Sequence, residues 1–221
     1  MPADFLPKML PSYIAVEGPI GVGKTSLTKR LAESFNYEIV LEMPDTNPFL
    51  DQFYENRGHS ALPTQLFFLF DRVRQIENMR QGDIFKPVRV ADFLIDKDRL
   101  FAELNLSTDE LALYDKVAEH LSVDALAPDL VIYLQAPAEV LMDRIQQRGI
   151  PREAKMDRNY LDSLIEAYTR FFHYYDEAPL LIVNSAELDL VNNDQDYQSL
   201  LDYMLTIKTG RHYYNPKQTI L

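Results

Sequence analysis

Five short apolar runs punctuate the chain: YIAV (13–16), EIVL (38–41), VRVADF (88–93), LVIYL (130–134) and LLIV (180–183). Each is continuous rather than alternating, the pattern of strands buried on both faces of a parallel sheet. Between them, apolar residues recur at helical spacing. Leu27, Leu31 and Phe35 return about once per turn, and Leu161, Leu164, Ile165, Tyr168 and Phe172 make a second stripe. The stretch PTQLFFLFDRVRQIENMRQG predicts another helix, opened by Pro63 and closed by Gly82. Strands alternating with helices predict right-handed βαβ crossovers and an α/β three-layer sandwich, a five-stranded parallel sheet flanked by helices. No internal repeat or linker interrupts this pattern, so residues 1–221 read as a single domain. Its core runs from about 12 to 208, and TGRHYYNPKQTIL, about 209–221, is expected to be an irregular tail.

Composition narrows the class. With 47% hydrophobic and 25% charged residues the chain is of ordinary globular type, long enough to bury a core without covalent staples. It has no cysteine, which excludes disulfides and thiolate metal ligands and fits a reducing compartment. No apolar run approaches the roughly 18 residues of a membrane span, and MPADFLPKMLPS is too short and proline-broken for a signal peptide. A cytoplasmic protein with no membrane partner is expected. The net charge of −12 argues against nucleic acid, whose binders carry a positive footprint. A small anionic ligand remains compatible where basic residues converge locally.

Three of the seven glycines fall within GPIGVGKTS, residues 18–26. Gly18-Pro-Ile-Gly21-Val-Gly23-Lys24-Thr25 fits G-x-x-x-x-G-K-[ST], with a strand before it and a helix after it. Small residues there let backbone N–H groups close around phosphate, and the helix adds its positive end. Lys24 reaches the β- and γ-phosphates, the Thr25 hydroxyl holds Mg²⁺, and Gly18, Gly21, Gly23 and Ser26 complete a cradle for ATP. The fold expectation thereby sharpens to the P-loop NTPase type. Neither a DxxG switch nor an NKxD base-reading motif accompanies the loop, which sets GTPases aside.

Beyond the loop, YIAVEGPIGVGKTSLTKRLAE, LEMPDTNPFLDQFYEN, LPTQLFFLFDR, RVADFLIDKDRLFAELNL, DLVIYLQAP and YLDSLIEAYTRFFHYYD together resemble the deoxynucleoside kinase family, in its bacterial deoxyguanosine and deoxyadenosine kinase branch. The resemblance covers about 12–208 and implies transfer of the γ-phosphoryl of ATP, with Mg²⁺, to the 5′-hydroxyl of a deoxynucleoside, favouring purines, in nucleotide salvage. It also implies a homodimer. Glu42 falls where the family keeps its general base. Tyr54 matches the tyrosine at the sugar 3′-hydroxyl, and Gln65, eleven residues on, matches the glutamine that reads the base. Arg72 occupies the place of an arginine near the base, and on a helix it shares a face with Gln65 two turns earlier.

In DRIQQRGIPRE, Arg144 and Arg148 lie one turn apart and match lid arginines that close over the transferring phosphoryl group. Glu153 matches an acid at the sugar 3′-hydroxyl. Ile150 replaces one expected lid arginine, with Arg152 and Arg158 as candidates to compensate. Relatives carry Glu-Arg-Ser where this chain has Ala91-Asp92-Phe93. Asp92 is the candidate acid beside Mg²⁺, and Arg99 the candidate for the missing arginine. The loop in VNSAELDLVNN is expected near the adenine of ATP. The four histidines have no metal-ligand spacing, and RFFHYYD reads as helix packing. Two rival functions are a nucleoside monophosphate kinase of thymidylate kinase type, which needs a basic grip on the acceptor phosphate, and a nucleotide-binding regulatory subunit without catalysis.

Overall fold

A computed structural model of the chain describes residues 10–81, 88–121 and 126–215. The strands are β1 (Tyr13–Glu17), β2 (Glu38–Val40), β3 (Arg89–Ala91), β4 (Leu130–Gln135), β5 (Leu180–Asn184) and β6 (Arg211–Tyr214). The helices are α1 (Lys24–Phe35), α2 (Leu50–Glu55), α3 (Arg57–Gln81), α4 (Asp98–Asn105), α5 (Thr108–His120), α6 (Ala138–Arg148), α7 (Arg158–Tyr174) and α8 (Asp194–Met204). All strand pairs are parallel, in the order β2-β3-β1-β4-β5-β6. Among the described residues no helix is long and apolar enough to cross a membrane.

The sheet has six strands, one more than the apolar runs predict. The sixth comes from the segment expected to be irregular: Arg211–Tyr214 pairs with β5 in the register Leu180↔Arg211. An edge strand that is mostly exposed needs no continuous apolar run, so RHYY carries little local signal. The opposite edge departs too. β2 leaves Glu38 and Ile39 exposed, whereas Ile14–Val16, Val90 and Leu130–Leu134 are sealed on both faces. Burial of each such aliphatic side chain is worth about 1.5–3 kcal/mol.

Helix α3 begins at Arg57, not at Pro63, which sits inside it. A proline there forfeits one backbone bond, at about 3 kcal/mol in a helix interior. Ser60 and Ala61, at 2% and 1% exposure, are packed inward and hold the extra turns. The expected closing Gly82 lies outside the described residues. The α7 stripe is buried at Leu161, Leu164, Tyr168 and Phe172. Phe172 stacks on Tyr133 of β4 at 4.2 Å, so RFFHYYD does contribute packing.

Consecutive strands go one way from β1 to β3 and β2, then the other way to β4, β5 and β6. The crevice beyond the carboxyl ends at that reversal is where open α/β sheets bind ligands. The glycine-rich loop leaves β1 there. Helices α3, α4 and α5 make a smaller cluster around Leu69, Val73, Ala102 and Tyr114, which fixes one wall of the crevice.

Candidate active site

The loop between β1 and α1 is shaped by close approach. At Gly18 (φ +148°) an added Cβ would lie 2.5 Å from the Leu134 carbonyl oxygen, and at Gly21 (φ +83°) 2.8 Å from Ile145. Only glycine lets the loop press against β4 and α6 in this way. Gly23 is the N-cap of α1, so Lys24, Thr25 and Ser26 occupy its first turn, where unpaired N–H groups and the helix dipole attract anions. Lys24 folds over the loop and donates to the carbonyls of Gly18 (2.7 Å) and Pro19 (3.2 Å). Burial depresses its pKa, and the nearby Lys97 charge adds to the effect.

Asp92 follows β3 and joins two elements. Its Oδ2 accepts from Thr25 Oγ1 at 2.6 Å, and its Oδ1 accepts from the Glu42 N–H at 2.8 Å. A hydroxyl and a carboxylate side by side at the start of α1 fit Mg²⁺, which takes one or two protein oxygens and fills its octahedron with phosphate and water. Among the described residues, no group of three or more His, Asp or Glu is placed to hold a metal.

Glu42, two residues past β2, lines the same cleft of about 170 Å³ as Lys24, with Tyr54 of α2 and Gln65 of α3. Gln65 is 3% exposed, and its amide has no protein partner among the described residues. Asn47 pins the segment before α2 to α3 by donating to the Thr64 carbonyl at 3.2 Å, and α2 packs on α3, so Tyr54 and Gln65 line the same cleft. Burial raises the Tyr54 phenol pKa, with the Glu153 charge second, so it stays a neutral donor.

A family model described as deoxynucleoside kinase matches residues 14–207. The chain belongs to the deoxynucleoside kinase family. It is 36% identical over 194 residues to a deoxyguanosine kinase of Bacillus subtilis (strain 168), covering 85% of this chain and 93% of that protein. It is 28% identical over 206 residues to a deoxyadenosine/deoxycytidine kinase of the same organism, covering 89% and 93%. Among solved structures, a deoxyadenosine kinase from M. mycoides with bound dATP superposes with a TM-score of 0.76 at 22% identity, covering 87% of this chain and 98% of that one. The same enzyme with the products dCMP and a flexible dCDP gives 0.77 at 23% identity, covering 88% and 100%. That likeness bears on the fold.

In this deoxynucleoside kinase fold, Arg72 does more than share a face with Gln65. Its Nε donates to Glu42 Oε1 at 2.8 Å, a second nitrogen pairs with the same oxygen, and the third pairs with Asp98. Asp98 in turn accepts from the Tyr114 hydroxyl at 2.6 Å, a phenol that burial pushes up to about 12. Burial pushes the Glu42 carboxyl up, but Arg72, Lys97 and Lys24 outweigh it and hold it at about 2.

The two arginines expected in a lid diverge. Arg144 donates to the carbonyls of Val22 (3.3 Å) and Ser185 (2.7 Å), bridging the glycine-rich loop to the segment after β5. Arg148 lines the cleft and pairs with the buried Glu153. One turn apart on α6, the two guanidiniums reach different partners. Arg152 also lines the cleft and pairs with Asp45, whereas Arg158 pairs with Glu139 away from it. Of the two candidates to follow Ile150, Arg152 is the one at the site.

Arg99 does not stand in for the missing arginine. It is 61% exposed and pairs with Glu103 and Asp115. Lys97, two positions earlier in the short 3-10 turn before α4, points inward instead. It lies 2.9 Å from Glu17 and 3.4 Å from Glu42. Sequence reasoning passed over Lys97, Asp98 and Glu17. The one available signal was an isolated Glu17 closing an apolar strand, where a charge needs a partner.

Proposed function

We propose that this chain transfers the γ-phosphoryl group of ATP, with Mg²⁺, to the 5′-hydroxyl of a purine deoxynucleoside, deoxyguanosine or deoxyadenosine. The observation that carries the proposal is the cleft shared by Lys24, Glu42 and Gln65, whose amide has no protein partner among the described residues. Gln65 offers a donor and an acceptor to a base edge. Tyr54 and Glu153 receive the sugar 3′-hydroxyl. Gly18, Gly21, Gly23 and the first turn of α1, Ser26 included, cradle the phosphates, and Lys24 turns from its loop carbonyls to the β- and γ-phosphates. Thr25 and Asp92 hold Mg²⁺, which neutralises phosphate charge when bound.

In the reaction the 5′-oxygen bonds to the γ-phosphorus as the bond to the bridging oxygen breaks, ADP leaves, and the hydroxyl proton passes to Glu42. A carboxylate with so low a pKa is a weak base. In a loose phosphoryl-transfer transition state the proton leaves late, so Glu42 works chiefly by orienting the hydroxyl. Arg148 faces the transferring oxygens, and Arg144 braces the loop from behind. Arg72 holds Glu42 beside the base. The purine preference rests on the 36% identical Bacillus deoxyguanosine kinase. Family likeness also supports a single-domain subunit working as a cytoplasmic homodimer.

The test is an acceptor panel with ATP and Mg²⁺: the four deoxynucleosides beside dGMP, dAMP and TMP. Phosphorylation of deoxyguanosine or deoxyadenosine, abolished by EDTA, is the expected result. Activity on monophosphates alone would overturn the assignment, and ATP binding without turnover would favour a regulatory subunit.

A further inference from the structure

Glu42 has two carboxylate oxygens, and the described residues use one. Arg72 donates to Oε1 from Nε at 2.8 Å and from a terminal nitrogen, and Lys97 Nζ lies 3.4 Å from the same atom. Among the described residues no protein group bonds Oε2. A carboxylate oxygen accepts about two hydrogen bonds, so the two Arg72 bonds fill Oε1 and Lys97 acts on it as a charge at 3.4 Å.

Lys97 is 1% exposed and belongs at the same time to a second carboxylate. Its Nζ lies 2.9 Å from Oε1 of Glu17, which is 0% exposed. Glu17 accepts from the N–H groups of Gly18 (3.0 Å) and Leu94 (2.7 Å) and from the Tyr168 hydroxyl (3.1 Å). One ammonium thus ties the base of the phosphate loop to the end of β2. Neutralising Glu17 alone would not require the ammonium to reach a second acid across the cleft floor.

We propose that Lys97 is a positioning residue for phosphoryl transfer: anchored on Glu17, its charge draws the Oε1 side of Glu42 toward the phosphate loop, which keeps Oε2 turned to the 5′-hydroxyl and in register with the loop. The proposal rests on the reading of Glu42 as the group that receives the hydroxyl proton. A misplacement of about 1 Å at a reacting group is enough to cost on the order of 100-fold in rate, which is the scale on which such a tether matters.

The experiment is a double-mutant cycle of Lys97→Met and Glu42→Gln, read as kcat, KM for ATP and thermal midpoint. Glu42→Gln by itself is expected to lower kcat by about 100-fold or more. Lys97→Met is expected to lower kcat by at least about tenfold with KM for ATP changed less than about twofold, and in the Glu42→Gln background to cost less than about threefold, because a residue acting through Glu42 has nothing left to aim. Should Lys97→Met not fold, Glu17→Gln/Lys97→Met replaces it in both backgrounds, since that pair leaves no unpaired carboxylate in the core. An equal loss of kcat in both backgrounds would mean that Lys97 is a structural counter-ion and would overturn the proposal, as would unchanged kcat in the Lys97 variant. An ordinary kcat in Glu42→Gln would instead sink the proton-acceptor reading, seen from that single variant.

Discussion

Arg72 on α3 and Glu42 beyond β2 are thirty positions apart, yet Nε of the arginine donates to Oε1 of the glutamate at 2.8 Å. The same guanidinium pairs with Asp98 at the start of α4. Arg72 is 4% exposed, so the helix that carries Gln65 is bound to the strand end that carries Glu42 through a largely desolvated charge. Removing one partner from such a set strands the others, which is far costlier than the set is stabilising.

Arg72→Met should therefore destabilise the fold by about 3–5 kcal/mol, the usual cost of breaking a buried ion pair. Urea unfolding is the measurement. A change below about 1 kcal/mol would mean that the pair is solvated and dispensable.

The Glu42 carboxyl should shape stability in acid. Burial raises its pKa, and the opposing charges of Arg72, Lys97 and Lys24 bring it down from 4.5 to about 2. A carboxyl depressed by folding contributes stability that is present in full above its unfolded pKa and is lost as pH falls from about 4.5 through about 2. Thermal midpoints of the wild type should drop more steeply across that window than those of Glu42→Gln. Parallel curves would contradict the depressed value.

Gly18→Ala places a methyl 2.5 Å from the Leu134 carbonyl oxygen at a φ that L residues rarely adopt. The expected cost is about 2 kcal/mol or more, together with weaker ATP binding as the loop lifts from β4. Calorimetry of ATP binding beside a thermal melt reads both effects, and ordinary values in both would argue against the close approach.

Lys24 and Arg99 should respond in opposite ways. Lys24→Ala removes a charged donor from the phosphate site and should lower kcat by about 100- to 1,000-fold, the range for losing one preorganised donor. Arg99→Ala, at a side chain 61% exposed with exposed partners, should leave kcat unaltered and shift stability by less than about 0.5 kcal/mol. A large kinetic defect in the Arg99 variant would return that residue to the site.

The phosphate loop is legible from a local cause. Gly18-Pro-Ile-Gly-Val-Gly-Lys-Thr announces itself because strand, turn and helix N-terminus are contiguous. Gln65 and Arg72 come from the resemblance to deoxynucleoside kinases, and helical periodicity adds that they share a face. Pro63 misled as a helix start, since packing of Ser60 and Ala61 outweighed the local rule. RHYY was silent because an exposed edge strand exists only through its partner, β5. Arg99 is an arginine near the expected place in the sequence, whereas the inward cation is Lys97.

By itself, the order of apolar runs and glycines determined a parallel α/β sheet with a phosphate loop at its first strand, because those patterns follow from backbone geometry within a few residues. Only the tertiary structure decided the sixth strand and the pairing of Lys97 with Glu17 and Glu42 and of Arg72 with Glu42 and Asp98. Those charges come from segments far apart in the chain, and which acid meets which base is settled only when the strand ends are brought together around one desolvated cleft.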